Sequence, residues 1–168
     1  MGKDEAHIWL YICKHNWQNN IINDIIMAEL REIRDQDFKR ECRRQTKLAF
    51  DRGEIAAARE IVARAVRSTA PGYYLDYDYA LTTLYRVRNG MRPRRHEKRL
   101  MWEEIERKVN GIITSGDEPT LAGALNRVLA DERASRYFIT PGYGKKLYEQ
   151  LRRRPRRQPS EDENLTRK

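Results

Sequence analysis

The sequence predicts an all-α protein, a compact bundle of about six or seven helices. Apolar residues recur at helical spacing along most of the chain. Capping residues stand before most of these stretches, and Gly or Pro after them. No run alternates apolar and polar residues as a half-buried strand would; only 73–75 and 137–139 suit short extended pieces that could pair.

The first thirty residues read as helix. Asp4 suits its start, and Ile22, Ile26, Leu30 and Ile33 form a stripe with Ile21 and Ile25 beside it. Trp9 and Trp17 add bulk suited to a core or a subunit interface. Residues 35–52 read as helix with Phe38, Cys42 and Leu48 inward and Gly53 as the stop. Whether these two helices are continuous is left open. Residues 54–68 follow, favoured by Ala56, Ala57, Ala58, Ala63 and Ala65, with Ile55, Ile61, Val62 and Val66 on the apolar face.

Pro71-Gly72 ends that helix, Tyr73-Tyr74-Leu75 is extended, and Asp76 caps a helix running to Arg88. Residues 91–95 form a basic loop containing Pro93. Helix 96–109 turns Leu100, Met101, Ile105 and Val109 inward. Ser115-Gly116-Asp117 is a turn, and Pro119 opens a helix to about Arg133. Thr140-Pro141 opens the last helix, which Pro155 closes near Arg154. The polar residues 158–168 read as a disordered tail. Residues 1–157 are one helical domain, with an N-terminal helical segment (1–52) and a basic helical region (53–157).

A weak internal repeat relates 54–88 to 118–152. Aligned at an offset of 64, the two stretches share Glu54/Glu118, Ala58/Ala122, Ala70/Ala134, Tyr73/Tyr137, Tyr79/Tyr143 and Arg88/Arg152. So few identities leave two readings open: a structurally repeated helical unit, or two ordinary helix junctions, each pinned by aromatics. On either reading Tyr73, Tyr74, Tyr137 and Phe138 precede capped helices and are mainly structural.

Net charge is +9, and its placement matters more than its total. Residues 1–50 are nearly balanced, with 9 Lys/Arg against 8 Asp/Glu, whereas 111–158 hold 10 against 5. A basic excess concentrated after residue 50 suits DNA or RNA, or an acidic protein partner. One cluster is Arg92, Arg94, Arg95, Lys98 and Arg99; the other is Arg152, Arg153, Arg154, Arg156 and Arg157. Arg at a helix C-terminus also satisfies carbonyls and the macrodipole, but five exceed that need. Such runs suit phosphate contacts, which give affinity without reading sequence.

Residues 134–154 resemble a degenerate helix-turn-helix, with Thr140 as cap, Ile139 and Leu147 as core, and Tyr143, Lys145 and Lys146 toward DNA. Phe138 stands where the turn usually takes Gly, and Gly144 where a branched side chain is usual. The expected function is therefore nucleic-acid binding, largely through phosphates. The alternative is a helical scaffold or assembly protein whose basic face meets an acidic partner. A homo-oligomer is compatible with either.

Nothing points to an enzyme. His7, His15 and His96 have no metal-ligand spacing, Asp76 and Asp78 suit caps, and Glu103, Glu104 and Glu106 read as a solvated face. No phosphate-cradling glycine loop or nucleophile–base pair is visible, so no cofactor and no metal are expected. Cys13 and Cys42 cannot make a disulfide framework and read as reduced thiols of a cytoplasmic protein. Residues 8–13 are too short and wrongly flanked for a signal peptide, and no apolar run approaches the roughly 20 residues of a membrane span.

Overall fold

A computed structural model describes the backbone of residues 3–153, and side chains from Asp24 onward. Among the described residues there are six helices and no strand. They are α1 (Lys3–Asp51), α2 (Ala58–Arg67), α3 (Tyr77–Arg88), α4 (His96–Ser115), α5 (Leu121–Asp131) and α6 (Pro141–Arg152). The two N-terminal helical stretches are thus one continuous helix of 49 residues. At 1.5 Å per residue it is about 73 Å long.

Local chemistry sets most of the boundaries. Gly53, at φ 67°, and Gly116, at φ 79°, take the left-handed conformation just after α1 and α4, where a side chain would be strained. Asp76 accepts the Tyr79 amide at 2.9 Å and opens α3. Thr140 accepts the Tyr143 amide at 3.3 Å and opens α6, with Pro141 in the first turn. The helix expected from Glu54 begins only at Ala58. The chain turns at Gly53, so Glu54 lies outside the helix and joins Arg64 at 2.6 Å. Ile55, expected on the apolar face, is wholly exposed.

The helices form two equivalent three-helix units. An offset of 64 carries the end of α1 onto the end of α4, and α3 onto α6 residue for residue. It carries α2 onto α5 with a one-residue difference at the start. The first unit is the C-terminal part of α1 with α2 and α3; the second is α4, α5 and α6. Their third helices are exchanged. α6 packs on α1 and α2, and α3 packs on α4 and α5. The crossover is an antiparallel bridge between two equivalent residues, Ala70 and Ala134, whose amides donate to each other's carbonyls at 3.0 and 3.2 Å. A reciprocal bond pair between equivalent residues is what an approximate two-fold axis produces.

The core follows the exchange. Phe38, Cys42, Ile61, Val62, Ala65 and Leu147 are buried in the first half, and Leu84, Trp102, Ile105, Val109, Leu125 and Val128 in the second. Gly144 is small because α6 lies close to α1 and α2: a Cβ there would stand 3.0 Å from the Phe38 ring and 3.1 Å from Val62. Ile25, on the part of α1 leading into the first unit, and Ile33, at that unit's start, stay exposed. No described helix is long and apolar enough to cross a membrane.

Candidate functional site

The axis-related junctions 70–75 and 134–140 form the floor of a cleft of about 870 Å³. Its floor includes Tyr73, Leu75, Phe138 and Ile139. Its walls come from α1 on one side and the start of α4 on the other. α1 contributes Arg31 and Arg34; the α4 end contributes Arg95 and Lys98. These are equivalent pairs, since Arg31 maps on Arg95 and Arg34 on Lys98 at the same offset of 64. Arg136 adds a fifth cation from the second junction, and among the described residues Glu97 is the one acid lining the cleft.

Each pair has one cation over a tyrosine of the exchanged third helix. The Arg34 guanidinium lies 5.3 Å from the Tyr143 ring centre, and the Lys98 ammonium 6.0 Å from that of Tyr79. These contacts are again equivalent, because Tyr79 maps on Tyr143. Such pairs hold a long side chain in one orientation. The walls differ in their acids. Arg34 also binds Asp35 at 2.7 Å, and the Tyr143 hydroxyl donates to the same carboxylate. The position matching Asp35 is Arg99, whose side chain meets His96 Nδ1 at 3.1 Å. The α4 wall carries Glu97, but with Arg99 in place of Asp35 it remains the more electropositive. It also carries the N-terminus of α4, whose first-turn amides add positive potential.

Beneath the cleft lies a buried carboxylate. Glu104 was expected on a solvated face, but it is only 8% exposed. Tyr73 Oη donates to its Oε1 at 2.6 Å and the Ser135 amide at 2.9 Å; the Ser135 hydroxyl donates to Oε2. Lys108 Nζ stands 3.7 Å away. Burial alone would raise the carboxyl's pKa, but the bonds from Ser135 and Tyr73 and the Lys108 charge outweigh it and hold it below the usual range. A second buried carboxylate, Asp37, accepts the Tyr74 hydroxyl at 2.7 Å and also binds Arg40. Burial pushes the Cys42 thiol up to about 12, with Glu41 adding to the shift, so it is an unreactive core residue.

The residues singled out in the sequence fall into three places. Arg95 and Lys98 line the cleft, with Arg99 beside them and Arg92 and Arg94 exposed in the preceding loop. Arg152 and Arg153 border a separate shallow depression with Glu149 at the end of α6, apart from the cleft. Arg154, Arg156 and Arg157, like the tail 158–168, lie outside the described residues. Lys145 and Lys146 are exposed on α6, with Lys145 3.8 Å from Glu149.

The helix-turn-helix frame is not formed. Ala134, the small residue that opens the frame, sits in the extended bridge with Ala70, and nine residues separate Asp131 from Pro141. Gly144 is a core contact and the Tyr143 hydroxyl is turned to Asp35. Arg31, Arg34, Arg136 and Tyr79 were not read as a site, and Tyr143 was read only as a DNA-facing residue of the helix-turn-helix frame. The signal that finds them is the same offset of 64, continued upstream of residue 54 to pair Arg31 with Arg95 and Arg34 with Lys98. No protein-family model, curated protein or solved structure matches this chain.

Proposed function

We propose that this protein binds nucleic acid, largely through phosphate contacts, and that the cleft on the approximate two-fold axis is the centre of the interface. The observation that supports this is the convergence of Arg31, Arg34, Arg95, Lys98 and Arg136, from three separate parts of the chain, on one cleft where the nearby acids among the described residues are Glu97 and the Arg34-bound Asp35. A concave wall of one charge sign focuses potential and attracts a polyanion. The exposed Arg92 and Arg94 of the loop before α4 adjoin the Arg95 end of the cleft.

The test is a salt titration of binding to oligonucleotides. Log affinity should fall linearly with log salt, by about 0.9 for each phosphate contact on a duplex and about 0.7 on a single strand. Arg95→Gln with Lys98→Gln should flatten the slope while the fold is kept. A folded protein that binds neither DNA nor RNA at about 50 mM salt ends this reading. It would favour the second reading, a helical assembly protein, which the exposed Ile25 and Ile33 on α1 support.

A further inference from the structure

We infer that the cleft is a paired phosphate site, in which Arg31 with Arg34 and Arg95 with Lys98 each take one of two neighbouring phosphates of a single nucleic-acid strand. This rests on the nucleic-acid reading above and narrows it to a strand rather than a duplex. The argument begins with equivalence. Each pair is spaced i, i+3: Arg31 and Arg34 lie on one side of α1, while Arg95 is the extended N-cap residue of α4 and Lys98 lies in its first turn. Each is carried onto the other by the offset that relates the two units. The second cation of each pair is steadied over the ring of Tyr143 or Tyr79, so less side-chain freedom is lost when an anion arrives. Two such half-sites facing one cleft match a ligand with two anionic groups better than one with a single charge.

The volume sets the size of that ligand. About 870 Å³ lies within the range of small-ligand sites, about 300–1,000 Å³. A cleft of that size holds a short piece of strand. The floor supports the same choice. Leu75, Phe138, Ile139 and Met101 offer apolar surface to sugars and bases, which a single strand exposes and a duplex hides. Arg136 has no cationic counterpart, because Gly72 occupies the matching position. It breaks the two-fold equivalence, as a strand with distinct 5′ and 3′ ends requires.

Calorimetric titration of the full chain tests this with four probes at about 50 mM salt: 5′-phosphothymidine, its 5′-phosphorylated dinucleotide, a longer oligothymidylate and a duplex of the same length. The dinucleotide should bind one to one and at least about tenfold tighter than the mononucleotide, because its second phosphate is already tethered. Arg31→Gln and Arg95→Gln, both at exposed positions, should each remove most of that gain without moving the unfolding midpoint. Arg31→Lys, which keeps the charge, should retain most of it. The longer strand should bind at least as tightly as the duplex. If the gain is absent while the longer strand binds, the paired site is wrong and the nucleic-acid reading stands. A preference for the duplex has the same consequence. If no probe binds the folded chain, both fail.

Discussion

The two units, 32–88 and 96–152, share a plan and differ in how each interior is closed. Equivalent positions hold Phe38 and Trp102, both buried, and Ala80 and Gly144, also both buried. The larger Trp faces the α3 that carries Ala80; the smaller Phe meets an α6 that comes close enough to exclude a Cβ. Buried carboxylates tie both halves to the junction tyrosines, but at different places: Asp37 with Tyr74 in one, Glu104 with Tyr73 in the other. The position matching Glu104 is Arg40, which is exposed. The plan is carried by few residues: the caps Asp76 and Thr140, the bridge pair Ala70 and Ala134, and a bulky aromatic in each long helix. Elsewhere each half solves its own packing problem, since cores tolerate changed residues when volume and pattern are kept.

The largest expected effect tests that difference at the buried carboxylate. Glu104→Ala leaves the Tyr73 hydroxyl and the Ser135 amide without their acceptor and should cost about 3 kcal/mol by urea denaturation. Arg40→Ala, at the equivalent but exposed position, should shift the midpoint much less. Equal losses would show that the halves are closed alike. The same carboxylate gives a pH signature. Because its folded pKa is depressed, its contribution is fully present above the unfolded value of about 4.3 and is lost as pH falls through the lower folded value. Glu104→Gln should flatten the acid limb of the stability curve, and an unchanged limb would assign acid sensitivity elsewhere.

Next comes the Ala/Gly pair on the exchanged helices. Gly144→Ala gains up to about 1 kcal/mol of helix propensity. It also presses a methyl on Phe38 and Val62, and overpacking costs about 1–3 kcal/mol. A net loss of about 1 kcal/mol is expected. Ala80→Gly should also lose about 1 kcal/mol, through propensity and a lost buried methyl. A stabilised Gly144→Ala variant would show that α6 can move away and that the two halves pack with equal slack.

The caps should behave alike, which sharpens the comparison from the other side. Asp76→Ala and Thr140→Ala should each cost about 1 kcal/mol and loosen the first turn of α3 or α6, seen as faster amide exchange at Tyr79 or Tyr143. A large difference between them would argue against a shared plan. The smallest effect is expected at Arg136, which has no counterpart. Arg136→Gln should leave stability unchanged and weaken oligonucleotide binding by about one phosphate contact, a slope change of about 0.7 on a strand.

The sequence by itself determined the helical class and most helix boundaries. Asp76, Thr140-Pro141, Gly53 and Gly116 mark their junctions because capping bonds and backbone conformation span only a few residues. It also carried the offset of 64, in the matched caps and tyrosines. The failures have a common physical cause. Glu104 sits among Glu103, Glu106 and Arg107 and reads as solvent-facing, but burial depends on Tyr73 and Ser135, which are distant in the chain. The start of α2 shifted because Gly53 turns the chain, and Ile55 found no partner. Which third helix packs on which pair is left open by periodicity, since α3 and α6 are of equal length and similarly amphipathic. Tertiary structure alone decided the exchange, and the exchange brings Tyr79 to Lys98 and Tyr143 to Arg34. The cleft exists only because helices far apart in sequence bury their apolar faces together, leaving their cations to face one another across the axis.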